Sequence, residues 1–209
     1  MKKTRLTTTL LTIVSLAFAS VPNMATASAK LNHSDQVNTP SDSRNKIQQS
    51  TARFSPKQIQ ILKSVGMKIA VPTYIPSGFK IERLSNNSDQ YYKGYTVTYR
   101  RKDNSCFSIE AITGGIGDEP DLQHTLPYNS PLFGKGRLNY GKYSDIDLRK
   151  QSPLSEMTTG WMEPKNFQAF YRFNGANWYS SDKAKPKCNK DISPTEAVKV
   201  INSLQYLKF

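Results

Sequence analysis

The sequence has 209 residues, and its 29 lysine and arginine residues exceed its 16 aspartate and glutamate residues by 13. A positive balance of this size favours anionic partners through long-range attraction, although it serves solubility equally well and says nothing about the fold. Beyond residue 29 no apolar run reaches the roughly 20 residues that a membrane-spanning helix needs, which excludes a helical membrane domain in that part of the chain.

The first 29 residues have the order of a secretory signal peptide. Lys2, Lys3 and Arg5 form a positive start, a short apolar stretch follows, and Ala27-Ser28-Ala29 fits the small-residue cleavage pattern, with Ala25-Thr26-Ala27 as a second site. The apolar stretch is too short for a membrane anchor. We therefore expect export to the periplasm or the extracellular space. The mature chain would keep 26 of the 29 cations and all 16 anions, a net charge of +10.

A polar segment follows the signal peptide from Lys30 to Arg53. It is rich in serine, asparagine, glutamine, aspartate and threonine, and few of its side chains are bulky and apolar. Such a segment cannot bury enough apolar surface to offset the entropy lost on ordering. The sequence therefore predicts a flexible polar leader over residues 30–53 and a single domain over residues 54–209.

Two helices are predicted near the ends of this domain. Ser55-Pro56-Lys57-Gln58 supplies a serine cap, a proline at the first helical position and a glutamine at the third, before an apolar stripe that ends at Gly66. Ser193-Pro194-Thr195-Glu196 repeats this arrangement. It is followed by apolar residues at helical spacing, namely Ala197, Val200, Ile201, Leu204 and Leu207.

Between the helices the apolar residues recur with a period of two, which indicates strands. The clearest strands are 95–100, 107–111 and 167–173, and weaker ones are 79–84, 137–143 and 158–162. Asn174-Gly175 predicts a hairpin that leads into Trp178 and Tyr179. Because consecutive hairpins have no helix between them, the sheet is expected to be antiparallel. The predicted fold class is α+β, an antiparallel sheet packed by an N-terminal and a C-terminal helix.

The sequence contains two cysteines, Cys106 and Cys188. An even number in an exported chain favours a disulfide, whereas a redox-active or nucleophilic thiol lacks support because no Cys-x-x-Cys pair is present. Cys106 alternates with Phe107, so it should lie on the strand face opposite the core. The bridge would then tie the start of the last helix to the sheet.

Two short motifs lie between the predicted helices. Val71-Pro72-Thr73-Tyr74-Ile75-Pro76-Ser77-Gly78-Phe79-Lys80 precedes a tyrosine-rich strand from Tyr92 to Tyr99, and Cys106-Phe107-Ser108-Ile109-Glu110-Ala111 leads into Gly114-Gly115-Ile116-Gly117. Together they resemble a family of exported cyanobacterial proteins of uncharacterised function. The Pro-x-Tyr-Ile-Pro-x-Gly-Phe portion is similar to bacterial envelope domains of the lipoprotein-carrier and anti-sigma-sensor type, which have a curved antiparallel sheet with an apolar concave side. The resemblance covers about a third of the mature chain. It carries no catalytic residue and implies a non-enzymatic envelope role.

No catalytic motif, metal site or cofactor site is predicted. His124 follows Asp118, Glu119 and Asp121, a group that favours a solvated acidic turn over a weak cation site. The glycines at 114–117 lack the following helix that a phosphate-binding loop requires. A hydrolase that uses Glu82 and Glu110 as an acid pair remains the enzymatic alternative.

The candidate binding residues form a basic patch. Arg100, Arg101 and Lys102 lie on a predicted hairpin turn, and Lys183, Lys185, Lys187 and Lys190 surround Cys188, so a disulfide would join the two groups. Ordinary surface charge is the alternative interpretation. The tyrosine and phenylalanine residues of the strands indicate a core, with an open groove for an apolar ligand as the alternative.

These features predict an exported, non-enzymatic binding or accessory protein of the cell envelope. Its partner would be an anionic lipid, an envelope polymer or an acidic protein, or an apolar ligand if the aromatic face is open. Nucleic acid is not expected, because an exported protein rarely meets it. The alternatives are a hydrolase of envelope polymers and a structural or inhibitory protein that binds one partner protein.

Overall fold

The computed structural model describes residues 53–166, 169–176 and 188–209. The predicted signal peptide and almost all of the predicted leader lie outside these residues. The same holds for Lys183, Lys185 and Lys187 and for the strand predicted around Trp178 and Tyr179. None of the described helices is both long and apolar enough to cross a membrane.

The two predicted helices are present, and a third lies between them. Helix α1 spans Pro56–Ser64, α2 spans Ile146–Gln151 and α3 spans Pro194–Asn202. At the start of α1 the Ser55 amide donates to Gln58 Oε1 at 2.8 Å, and the Gln58 amide donates to Ser55 Oγ at 3.3 Å. This reciprocal pair is the capping box that the sequence predicts.

The last helix ends earlier than the apolar spacing predicts. The Ser203 amide donates to Val200 O at 3.1 Å and closes a tight last turn, while Ser203 O accepts from the Thr73 amide at 3.1 Å. This pairing draws the chain into an extended conformation. Leu204 is therefore buried within a short strand and Leu207 directly after it, rather than along the stripe of a helix.

Within the residues that the structure describes, ten strands form two sheets. They are β1 (Ala70–Pro72), β2 (Lys80–Asn86), β3 (Gly94–Arg100), β4 (Ser105–Ile112), β5 (Leu122–Ser130), β6 (Gly134–Tyr143), β7 (Glu156–Thr158), β8 (Phe170–Asn174), β9 (Lys190–Asp191) and β10 (Leu204–Tyr206). The large sheet has the order β2-β3-β4-β8-β7-β6-β5, with β9 also paired to β4, and β1 pairs with β10 in a separate ribbon. All pairs are antiparallel except β4 with β9. The α+β prediction is confirmed.

One face of the central strands forms the hydrophobic core. The side chains that point to this face from β3, β4 and β8 are almost completely buried: Tyr95, Val97, Tyr99, Phe107, Ile109, Ala111, Tyr171 and Phe173. The Phe107 ring stacks on Tyr99 at 4.7 Å between centroids and on Phe173 at 5.7 Å. The core interpretation of these aromatic residues is confirmed, and the alternative of an open groove along this face is wrong.

The ribbon and the helices cover this aromatic face. Buried side chains of α1, α3, β1 and β10 belong to the same core, with α1 contacting β2 and α3 contacting β5 and β6. Tyr95 Oη accepts from the Ala70 amide at 2.7 Å and donates to Ala70 O at 3.0 Å. Tyr171 Oη donates to Lys68 O at 2.9 Å. The two buried hydroxyls thus fasten the chain leading into β1 to the sheet beneath.

Strands β5 and β6 are paired at a position where a tyrosine of β5 lies opposite a glycine of β6. Tyr128 and Gly136 are direct partners in the antiparallel register. A Cβ atom at position 136 would collide with the Tyr128 ring, which lies over the bare backbone. The aromatic ring fills the space that the missing side chain leaves, an arrangement that stabilises glycine in a strand.

The predicted disulfide joins Cys106 to Cys188, with the two Cα atoms 5.5 Å apart and the two residues 82 positions apart in sequence. Ser105 and Cys106 pair with Lys190 and Asp191 of β9, only a few residues before α3 begins. The bridge therefore ties the start of the last helix to the central sheet, as the sequence predicts.

We expect the double substitution of Cys106 and Cys188 by serine to lower the free energy of unfolding by about 4.5 kcal/mol, because the unfolded chain regains the entropy of a long closed loop. Urea denaturation of the oxidised protein and of the variant measures the difference. Reductant should bring the wild type to the level of the variant and leave the variant unchanged. Equal stability of oxidised and reduced wild type would refute the prediction.

A second prediction concerns the hydroxyl of Tyr95. Tyr95→Phe should lower the free energy of unfolding by about 1–3 kcal/mol, because the buried amide and carbonyl of Ala70 lose their partner while the ring packing stays. The matched control is Tyr91→Phe, since Tyr91 is 84% exposed and its hydroxyl should add nothing to stability. A loss of the same size in both variants would contradict this assignment.

Candidate functional site

The turn between β3 and β4 carries the first half of the predicted basic patch. The Arg101 amide donates to Ser105 O at 2.9 Å, and the Asn104 amide donates to Arg101 O at 3.0 Å. Asn104 adopts a left-handed conformation with φ of 63°, which asparagine tolerates better than most residues. The turn is consequently a tight and fixed support for Arg100, Arg101 and Lys102.

The structure brings Lys190 to this turn. The Asn189 amide donates to Asn104 O at 3.3 Å, and Lys190 Nζ lies 3.5 Å from Asp103 Oδ2. We call the group formed by Arg100, Arg101, Lys102, Asp103 and Lys190 the disulfide-end surface. The remaining predicted members of the patch, at positions 183, 185 and 187, lie outside the described residues.

Carboxylates compensate part of this positive charge. Arg101 binds Asp103 through two hydrogen bonds of 2.9 and 2.8 Å, and its guanidinium group lies 5.1 Å from the centre of the Phe79 ring. Arg100 donates to Glu82 Oε1 at 3.1 Å and to Asn104 Oδ1 at 3.2 Å. These partners are not among the residues predicted for the basic patch, although Asp103 stands only two positions after Arg101.

The Arg101 hydrogen bond, helped by the Ser105 amide, holds the pKa of Asp103 well below its usual range. Asp103 is therefore ionised at every pH near neutrality. Its one carboxylate contacts two cations, Arg101 and Lys190, and within the described part of the chain Lys102 has no carboxylate at ion-pair distance. The disulfide-end surface thus keeps an excess of positive charge. Exposed ion pairs of this kind contribute little net free energy, so an external anion can compete for the cations.

A cleft of about 530 Å³ opens beside these cations. Its walls include Tyr74, Phe79, Arg101, Lys190, Ser193 and Glu196. Glu196 accepts from Tyr74 Oη at 2.5 Å and from Lys199 Nζ at 3.1 Å, and these two contacts lower the pKa of Glu196. Glu196 is thus ionised, and the Lys199 ammonium group compensates its negative charge. The cleft combines cations, hydroxyl groups and an aromatic edge.

Asp191 also lines the cleft and differs from the exposed carboxylates. Burial raises the pKa of Asp191, while a hydrogen bond of 2.6 Å from the Ala176 amide acts in the opposite direction. Nearby Glu156 raises the pKa of Asp191 further. Asp191 therefore holds a proton to higher pH than an ordinary aspartate does.

The two carboxylates of the enzymatic alternative are held by different arginines. Arg172 Nη2 lies 2.7 Å from Glu110 Oε2, which also accepts from Asn174 Nδ2 at 3.1 Å. The Arg172 guanidinium lies 4.0 Å from the centre of the Trp161 ring. Glu82 is bound to Arg100 instead. No hydrogen bond or ion pair between described residues links Glu82 with Glu110.

His124 lies on an exposed strand surface, and the glycine loop at residues 114–117 is followed by a strand. His124 is exposed on β5, a strand that the sequence analysis did not predict, with its ring 5.3 Å from the Tyr140 ring. The element after Gly114–Gly117 is strand β5, not a helix. Within residues 53–166, 169–176 and 188–209, no cluster of three or more histidine, cysteine, aspartate or glutamate residues is arranged to hold a metal ion.

Comparison of the chain with protein-family models, with curated proteins and with solved structures finds no match.

The raised pKa of Asp191 gives a prediction for the dependence of stability on pH. As pH rises above the ordinary aspartate pKa of about 4, the unfolded chain releases the Asp191 proton more readily than the folded chain does, so the folded state loses stability until Asp191 ionises in it as well. Asp191→Asn keeps an acceptor for the Ala176 amide and cannot ionise. We therefore expect the variant to gain stability relative to the wild type over this pH range, measured by urea denaturation at each pH. A constant difference, or one that shrinks with rising pH, would contradict the expectation.

Proposed function

We propose that the protein is an exported, non-enzymatic binding or accessory protein of the cell envelope that contacts an anionic partner through the disulfide-end surface. The observation that carries the proposal is the shared carboxylate. Asp103 contacts both Arg101 and Lys190, and Lys102 stands beside it. One carboxylate cannot compensate the charges of both Arg101 and Lys190, so a phosphate or carboxylate group of a partner would compensate the remaining positive charge.

The rigidity of this surface supports the proposal. The cations stand on a tight turn and on a strand that the disulfide binds to β4. A binding surface that is already ordered loses less conformational entropy when a partner docks. The adjoining cleft adds the Ser193 hydroxyl, whose oxygen accepts from the Glu196 amide and whose hydrogen can be donated to a ligand. An anionic group can therefore find hydrogen bonds as well as charge.

The engagement of the acidic residues favours a binding role over hydrolysis. Glu82 and Glu110 are each bound to a different arginine. A hydrolytic pair instead needs two carboxyl groups that flank one bond of the substrate. The disulfide is compatible with an oxidising compartment outside the cytoplasm. Of the predicted anionic partners, an envelope polymer or an acidic protein is the one proposed for this surface.

Binding of a soluble anionic polymer tests this function. The probe is polyglutamate, and the variant is Arg101→Gln/Lys102→Gln/Lys190→Gln in the mature protein. Loss of three exposed charge contacts should weaken binding roughly tenfold or more, and rising salt should weaken wild-type binding steeply. Isothermal titration or fluorescence anisotropy across a salt series provides the measurement.

The matched control is Lys135→Gln/Arg137→Gln/Lys142→Gln, which removes the same charge from exposed positions of β6. We expect this control to bind polyglutamate almost as well as the wild type does. Equal losses in both variants would show that net charge alone drives binding. Absence of binding at low salt would overturn the proposed contact.

A further inference from the structure

The loop between β2 and β3 presents two adjacent tyrosines to solvent. Tyr91 is 84% exposed and Tyr92 is 39% exposed. Single exposed aromatic residues are common on protein surfaces and need no explanation. Two in succession at the tip of a hairpin are more informative when the surrounding backbone is fixed and cations lie beside them, and both conditions hold here.

Hydrogen bonds fix the loop. Asp89 Oδ1 accepts from the Tyr91 amide at 2.7 Å and from the Tyr92 amide at 3.0 Å, and the Asp89 amide donates to Tyr92 O at 2.9 Å. The amide hydrogen bonds from Tyr92 and Tyr91 keep the pKa of Asp89 below its ordinary value. The Lys93 amide donates to Thr113 Oγ1 at 2.9 Å, and Lys93 O accepts from the Thr113 amide at 2.9 Å. The loop backbone is therefore fixed, with the Tyr91 ring exposed to solvent and the Tyr92 side chain partly exposed beside Asp89.

Three lysines lie at or close to the C-terminal end of α1, and one of them, Lys93, lines a cleft together with Tyr91 and Tyr92. Lys93 Nζ donates to Gly66 O at 3.2 Å. Lys63 Nζ lies 5.5 Å from the centre of the Phe209 ring, and Lys68 Nζ lies 5.1 Å from that of Tyr206. A cleft of about 500 Å³ lies between Gly66, Met67 and the tyrosine loop. We call the group formed by Lys63, Lys68, Tyr91, Tyr92 and Lys93 the tyrosine–lysine surface.

The lysines of this surface are not compensated as the cations of the disulfide-end surface are. In the described part of the chain, no salt bridge joins Lys63, Lys68 or Lys93 to a carboxylate. The carboxylate of Asp89 is occupied by backbone amides instead. Asp89 itself stays ionised, so the three lysines and this carboxylate together leave a net charge of +2 next to the amphipathic rings.

We propose that the tyrosine–lysine surface docks on an anionic phospholipid bilayer. Lysines near such a surface are attracted by its negative potential, and tyrosine rings favour the level of the headgroups, where one end is apolar and the other wet. A soluble polyanion would use the lysines and gain little from the rings. An apolar protein partner would leave three lysines without counter-charge. The bilayer is the partner that uses both kinds of side chain.

This inference rests on the proposed location in the envelope and does not depend on the disulfide-end surface. The two surfaces lie beyond opposite ends of β3, a strand of seven residues. At about 3.3 Å per residue, the ends of the strand are roughly 20 Å apart. This separation exceeds the screening length of about 8 Å at physiological ionic strength. Substitutions at one end should therefore leave the other end unaffected.

Vesicle binding of the mature protein tests the inference. The probes are vesicles of phosphatidylglycerol with phosphatidylcholine, vesicles of phosphatidylcholine alone, and polyglutamate as a soluble polyanion. Lys63→Gln/Lys68→Gln/Lys93→Gln should reduce partitioning onto the anionic vesicles on the order of a hundredfold, about fivefold for each lysine. Glutamine at position 93 can still donate to Gly66 O, which limits the structural change. Thermal melts establish that each variant is folded.

The tyrosines distinguish a bilayer from a polyanion. Tyr91→Ser/Tyr92→Ser should lower anionic vesicle binding, most visibly at physiological salt, and should leave polyglutamate binding unchanged. The matched charge control is again Lys135→Gln/Arg137→Gln/Lys142→Gln, which should retain vesicle binding. The disulfide-end variant Arg101→Gln/Lys102→Gln/Lys190→Gln should retain it as well.

Four outcomes would overturn the inference. The first is equal binding of the wild type to anionic and neutral vesicles, and the second is equal losses in the tyrosine–lysine variant and the β6 control. The third is loss of vesicle binding in the disulfide-end variant alone, which would leave the proposed function standing and move the membrane contact to the other end of β3. Tyrosine substitutions that lower vesicle and polyglutamate binding alike would assign the surface to a soluble polyanion and also refute the bilayer.

Discussion

The register of strand β4 is the constraint on which the rest of the structure depends. This strand pairs with β3 along one edge and with β8 and then β9 along the other. Its alternation places Phe107 in the aromatic core and Cys106 at the disulfide. A shift of one residue would exchange the two faces, because side chains alternate along a strand. The core, the covalent bridge and the basic turn after β3 therefore share one alignment.

The two charged ends of β3 show how local partners decide what a cation can do. At one end Arg101 is fixed by two hydrogen bonds to Asp103 and packs over Phe79. At the other end Lys93 donates to the Gly66 carbonyl, and no carboxylate of the described residues forms a salt bridge with it. Net charge and residue counts treat these side chains alike. Their contacts differ: Arg101 is paired with a carboxylate, whereas Lys93 donates to a carbonyl group.

The elements predicted correctly from the sequence are those set by local chemistry. The caps at Ser55 and Ser193 and the alternation from Tyr95 to Ala111 depend only on neighbouring residues. Strand β5 was missed because a bulge between Leu122 and His124 interrupts its alternation and because it contains Pro127. Proline is tolerated there because β5 is an edge strand of the sheet. The strand that begins at Leu204 was missed because it forms by pairing with Pro72, a residue far away in the sequence.

The candidate site was only partly predictable for the same reason. The disulfide and the nearness of Lys190 to the basic turn follow from two cysteines and the strand alternation. Compensation by Glu82 required knowledge of the pairing between β2 and β3, which places it beside Arg100. The exposure of Tyr91 was equally hidden, because a tyrosine-rich segment predicts a core until the hydrogen bonds of Asp89 are seen.

The contact between Tyr128 and Gly136 bears on how this sequence can diverge. A side chain at position 136 would have no room while the ring lies across the neighbouring strand. A smaller residue at position 128 would leave the glycine backbone uncovered. In descendants of this chain the two positions should change together, with an aromatic residue opposite glycine exchanged for a pair of ordinary strand residues. Covariation at these sites, eight apart in sequence, would mark the β5–β6 pairing in an alignment without any structure.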